Sequence, residues 1–153
     1  MEHLNDTSLF RPFAYIDGGW VAADSGEQIE VDNPATGEII GRVPRLGYAE
    51  TERAIEAAQH SFADWMETPA LERADILMKW YALMLEHKDD LAQIMTLEQG
   101  KPLAEAAGEI QYAASFLRWF AEEGQRVYGD TIPAAKRDQR ILVLKQPVGV
   151  VGA

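Results

Sequence analysis

Between about Ala49 and Glu123 the apolar residues recur three and four positions apart, and on either side of that stretch they do not. The first spacing lines up side chains on one face of a helix, whereas alternation lines them up on one face of a strand. A pattern that runs strand, helix, strand predicts an α/β fold in which a helical layer packs against sheet. The first helix of the stretch carries Ile55, Ala58, Phe62 and Trp65 on its apolar face. Glu50 and Glu52 sit in its first turn, where the helix dipole favours anions. Thr68-Pro69 reads as an N-cap followed by proline at the first helical position, and the next helix presents Ala74, Leu77, Tyr81 and Met84. Asp89 and Asp90 open a shorter helix with Leu91, Ile94 and Met95, and Gly100 ends it as a C-cap. Pro102 then starts a long helix to about Glu123, with Leu103, Ala107, Ile110, Ala114, Leu117 and Phe120 along its stripe.

Both flanks read as β. Tyr15-Ile16 and Trp20-Val21 bracket Asp17-Gly18-Gly19, residues that tolerate positive φ and so favour a hairpin turn. Gln28 to Asp32 alternates polar and apolar, Asn33-Pro34-Ala35-Thr36-Gly37 supplies turn chemistry, and Glu38 to Val43 runs back. The Asp, Glu and Arg residues within these strands predict one wet face. Near the other end, Ile141 to Leu144 is a strand core, interrupted by Lys145-Gln146-Pro147. The unbroken apolar run Val148 to Ala153 has the pattern of a strand buried on both faces of a parallel sheet. A parallel partner needs a crossover of about a dozen residues. None follows Ala153, so the run is expected to belong to a longer chain.

Composition narrows the function. The 153 residues include 14 basic and 25 acidic side chains, a net charge of −11, which would repel nucleic-acid phosphates and an anionic membrane surface. Without cysteine the sequence offers no disulfide, thiolate metal site or thiol nucleophile. Met1 to Arg11 lacks the apolar core of a signal peptide, and no run approaches the ~18 apolar residues of a membrane span, so a cytoplasmic location is expected. His3, His60 and His87 are scattered and read as solvated. No nucleophile elbow, Walker motif or dinucleotide-binding glycine pattern is present. Gly149-Val150-Val151-Gly152 reads as small residues that let helices approach a strand. Glu105, Glu109, Glu122 and Glu123 read as a solvated helix face. Tyr112, Phe116, Trp119 and Phe120 cluster at helical spacing, which suits packing or, alternatively, the lining of a substrate path. By themselves the residues describe an α/β segment without catalytic groups.

Four stretches carry a resemblance. Leu97-Glu98-Gln99-Gly100-Lys101-Pro102, the block from Gly108 to Pro133, Leu144 to Val151, and the two N-terminal strand pairs with Asn33-Pro34-Ala35-Thr36-Gly37-Glu38 resemble aldehyde dehydrogenases. The Gly108–Pro133 block is similar to the succinate-semialdehyde branch, with the glutarate-semialdehyde enzymes as the alternative. The resemblance covers the chain from about residue 14 to its end. It implies N-terminal β-hairpins over 14–46, a layer of four helices over 47–125, and strands over 139–153 entering a Rossmann-like cofactor domain. It also implies an oxidoreductase that uses NAD or NADP to oxidise succinate semialdehyde to succinate. In that family a cysteine thiolate attacks the aldehyde, hydride passes to the nicotinamide, and a glutamate activates water. An asparagine in a Trp-Asn-Phe-Pro segment helps to hold the oxyanion. None of those positions exists here, so no catalytic or cofactor-binding residue is carried over, and the chain alone is expected to be inactive and to bind no cofactor. Two assignments remain. Tyr112 and Phe116 resemble residues lining the substrate tunnel. Glu98, with the backbone near Val31, matches a monovalent-cation position of some relatives but reads more simply as an exposed helix-end glutamate, so no metal site is assigned. Residues 136–144 resemble the arm that joins subunits, which implies a homo-oligomer, dimer or tetramer. The rival from another class is a non-catalytic interaction domain built on the same segment.

Overall fold

A computed structural model describes residues 4–153, so His3 lies outside the described residues. The chain opens with a 3-10 turn, Thr7–Leu9, and two antiparallel hairpins. In the first, β1 (Ala14–Ile16) pairs with β2 (Gly19–Val21), and Asp17 (φ 50°) and Gly18 (φ 77°) both adopt the left-handed conformation that a two-residue turn requires. Tyr15 and Trp20 face each other across the ladder, ring centroids 5.3 Å apart. In the second, β3 (Gln28–Asp32) pairs with β4 (Ile39–Pro44), with Arg42 donating to Glu30 at 2.7 Å from the opposite position. The turn behaves as its composition predicts: Asn33 Oδ1 accepts from the Ala35 amide at 2.9 Å, and Gly37 (φ 73°) closes back on the Asn33 carbonyl at 2.7 Å.

Four helices follow: α1 (Tyr48–Glu67), α2 (Ala70–Glu86), α3 (Lys88–Gln99) and α4 (Leu103–Gly124). The core lies where α2 and α3 meet α4. Ala92, Ala106 and Ile110 form its buried centre, with Met84, Leu91, Met95 and Ala107 packed around them. Alanines at the contacts let the helix axes approach closely, and the larger side chains fill the space beside them. The face expected for α2 turns inward, with Ala74 buried and Leu77, Tyr81 and Met84 half-buried. On α4 the stripe holds for Ala107, Ile110, Ala114 and Leu117, but Leu103 and Phe120 point outward, and Ala106 and Ala121 are buried instead.

Three local expectations are corrected. Thr68 does not cap α2. It lies at the end of α1, where its hydroxyl donates to the Asp64 carbonyl at 2.8 Å, and Pro69 takes the N-cap position of α2. On α1, Phe62 is half-buried as its spacing predicts, but Ile55, Ala58 and Trp65 are exposed, and Ala54 and Ala57 are half-buried instead. Ala54 and Ala57 lie beside the β1–β2 turn, which draws that face of the helix inward. Residues 148–153 form no strand: Val148 is 95% and Val151 72% exposed. A strand exists only through hydrogen bonds to a neighbour, and none lies beside this run. Upstream, β5 (Asp130–Ile132), which the pattern did not suggest, pairs antiparallel with β6 (Ile141–Val143). Gly129 permits that approach, since a Cβ there would lie 2.2 Å from the Val143 carbonyl oxygen. Among the described residues no helix is long and apolar enough to cross a membrane.

Candidate functional site

The long helix α4 has two apolar faces. At about 100° per residue, Ala106, Ile110, Ala114 and Ala121 fall on one side, and these are buried. Tyr112, Phe116 and Trp119 fall on the opposite side and Phe120 on the flank between the two, and all four are exposed. Tyr112 and Phe116 stand one turn apart and meet edge to face, centroids 4.9 Å apart at 75°. The outward aromatics thus form a contiguous patch of the kind that marks an interface or a ligand surface. Arg118 lies away from this patch, on the side that meets α2: its Nε donates to Glu122 Oε1 at 3.1 Å, and Glu122 and then Tyr81 raise its pKa.

The segment leading into α4 is held by backbone chemistry. Gly100 ends α3 at φ 77°, and its amide donates to the Thr96 carbonyl at 2.9 Å. A Cβ at Gly100 would lie 3.0 Å from Pro34 Cγ in the β3–β4 turn, so glycine is favoured both by conformation and by space. Lys101 reaches Glu109 at 2.5 Å across the first turns of α4, and Pro102 takes its N-cap position. This stretch therefore joins α3 to α4 over the second hairpin, and Glu98 stays exposed at the end of α3.

Two buried carboxylates organise the rest. Asp90 accepts from the Asn5 amide (2.8 Å), Asn5 Nδ2 (3.0 Å) and the Asp6 amide (2.9 Å). Glu50 accepts from the Asp24 amide (2.9 Å) and the Gly47 amide (2.9 Å). Gly47 has no side chain to return a bond, so half of a capping box is made. Amide donors stabilise the charged form, and both pKa values are lowered, chiefly by Asn5 for Asp90 and by Asp24 for Glu50. The acidic first turns were legible in the sequence. Asn5 and Asp24 lie far from their partners along the chain, and no local signal announced them.

Among the described residues no three His, Cys, Asp or Glu side chains gather as a cation site. Gly149 and Gly152 have nothing within 4 Å of a notional Cβ, so no crowding requires glycine at either position. The structure brings Tyr112 and Phe116 together.

Residues 20–153 match the aldehyde dehydrogenase family, and the chain belongs to that family. It is 61% identical over 150 residues to a glutarate-semialdehyde dehydrogenase of Pseudomonas aeruginosa, covering 98% of this chain and 31% of that protein. It is 58% identical over 150 residues to an NADP(+) succinate-semialdehyde dehydrogenase of Escherichia coli, again covering 98% and 31%. A crystal structure of succinate-semialdehyde dehydrogenase from Burkholderia pseudomallei superposes with a TM-score of 0.94 at 58% identity, over 96% of this chain and 30% of that one. The chain thus spans about three-tenths of the length of the relatives it matches.

Proposed function

We propose that this chain forms the N-terminal segment of an NAD(P)-dependent dehydrogenase that oxidises succinate semialdehyde to succinate. The observation that carries this reading is its 58–61% identity, over 98% of its length, to relatives named for semialdehydes with a distal carboxylate. The segment supplies walls rather than reacting groups. Tyr112 and Phe116 line the path of the substrate, where their edge-to-face rings offer an apolar surface to its methylene groups. The sequence holds no cysteine, so the thiolate that attacks the aldehyde comes from outside these 153 residues, and the chain by itself is inactive. Residues 14–46 and 47–125 form the hairpin and helical portions, and 139–153 lead into the cofactor domain, where NAD or NADP binds. Residues 136–144 join subunits of a cytoplasmic homo-oligomer.

Glutarate semialdehyde is the second reading, favoured by the Pseudomonas aeruginosa relative. It differs from the succinate compound by one methylene, worth about 0.8 kcal/mol or roughly fourfold. One aromatic-walled path therefore accepts both. The test is kcat/KM for succinate semialdehyde, glutarate semialdehyde, betaine aldehyde and acetaldehyde, measured on a chain of the relatives' length that carries this segment. Succinate semialdehyde is expected to lead, with glutarate semialdehyde within about tenfold. A lead for betaine aldehyde or acetaldehyde would contradict the reading.

A further inference from the structure

The second hairpin has only two strands and is hydrogen-bonded to no other sheet. An isolated two-stranded hairpin is marginal in water, so its contacts to the helices decide whether it stays closed. One such contact is at its turn, where Pro34 meets Gly100 at the end of α3. A second approach, from outside the helices, is at Gly41 in β4, where a Cβ would come within 2.7 Å of Phe10 Cζ, so the Phe10 ring lies directly on the strand.

Phe10 belongs to a short strap whose other end is fixed at the first turn of α3. Leu4 is buried, and Asn5 and Asp6 give three N–H donors to the Asp90 carboxylate. Asp6 then starts the 3-10 turn: its Oδ1 accepts from the Ser8 amide at 2.9 Å, and its carbonyl accepts from the Leu9 amide at 3.3 Å. That turn carries the chain round to Phe10, whose amide closes it on the Thr7 carbonyl at 3.3 Å. The hairpin is therefore tied to both ends of one helix, directly at Gly100 and through the strap at Asp90.

We propose that residues 4–10 are a clasp coupling β3–β4 to the N-terminus of α3, so that strap and hairpin open as one unit governed by the Asp90 carboxylate. Neither Asn5 nor Asp90 touches β4, yet loss of their bonds removes the anchor that holds Phe10 against Gly41. The α2–α3–α4 core has its own apolar contacts and stays closed when the clasp opens.

Amide hydrogen exchange on the full chain and its Asp90→Asn and Phe10→Leu variants tests this. In Asp90→Asn, the amides of Asn5 and Asp6 and those of β3 and β4 are expected to exchange faster together, by about tenfold. Ala106 and Ile110 on α4 should keep their original rates. Phe10→Leu, a milder change at the far end of the strap, should accelerate the same two groups. Faster exchange at Asn5 and Asp6 with β3–β4 unchanged would overturn the proposal, because the strap would then fray alone. Equal acceleration in α4 would also overturn it, because the carboxylate would then support the whole fold rather than a clasp.

Discussion

Asp90 shows how much one side chain can organise without being conspicuous in the sequence. An aspartate in the first turn of a helix is ordinary, and its favourable interaction with the dipole is the obvious explanation. The structure gives it three N–H donors from residues 85 and 84 positions away. Glu50 repeats the pattern across 26 positions. Asp6 and Asp24 join them as carboxylates with lowered pKa, Asp6 chiefly through Ser8 and Asp24 chiefly through Arg53. A carboxylate whose folded pKa lies below its unfolded value stabilises the fold above the unfolded pKa, and that contribution is lost as pH falls through the folded pKa. Thermal unfolding is therefore expected to be nearly independent of pH between about 7 and 5 and to weaken below about pH 4. Asp90→Asn should lower Tm at neutral pH and make the fall at acid pH shallower. A Tm that rises on acidification, or an unchanged acid limb in the variant, would contradict this account of the four carboxylates.

At the scale of elements, what was legible and what was not divides along a physical line. Turns are fixed by residues within a few positions of each other, and the Asp17-Gly18 hairpin, the Asn33–Gly37 turn and the Gly100 cap all lie where the pattern placed them, although Thr68 ends α1 rather than capping α2. The face a helix buries depends on what lies beside it. Hence α2 followed its periodicity, whereas α1 turned Ala54 and Ala57 inward and left Ile55 and Trp65 outside. The strand β5 carries too short a pattern to be read alone and exists through its pairing with β6. Tyr112 and Phe116 were visible as an aromatic pair at helical spacing, but periodicity could not distinguish a core from an open face. On α4 the distinction is measurable. Ile110→Ala, at the buried centre, is expected to cost about 2–5 kcal/mol in denaturant unfolding. Trp119→Gln, on the open face, should change stability by no more than about 0.5 kcal/mol. Comparable losses at the two positions would mean that the outer face is covered within the chain itself.

For the whole molecule, the recurring feature is apolar surface without a covering layer. The aromatic face of α4, Ile55 and Trp65 on α1, and the extended run from Val148 to Val151 all face outward in a chain that spans 31% of its relatives' length. In the α/β architecture of the family, sheet and helix layers cover one another. These surfaces are therefore where the remaining layers belong on the proposed reading. The same reading separates structure from chemistry: these residues hold the fold and wall a path, and the reacting groups are contributed from elsewhere. The most direct test is the rate of NAD(P) reduction with succinate semialdehyde, measured side by side for this 153-residue chain and for a chain of the relatives' length that carries it. The account predicts steady turnover by the longer chain and none above the protein-free blank for the 153 residues at any concentration. Cofactor reduction that grows with the amount of the 153-residue chain, or a longer chain that is inert toward semialdehydes, would contradict it.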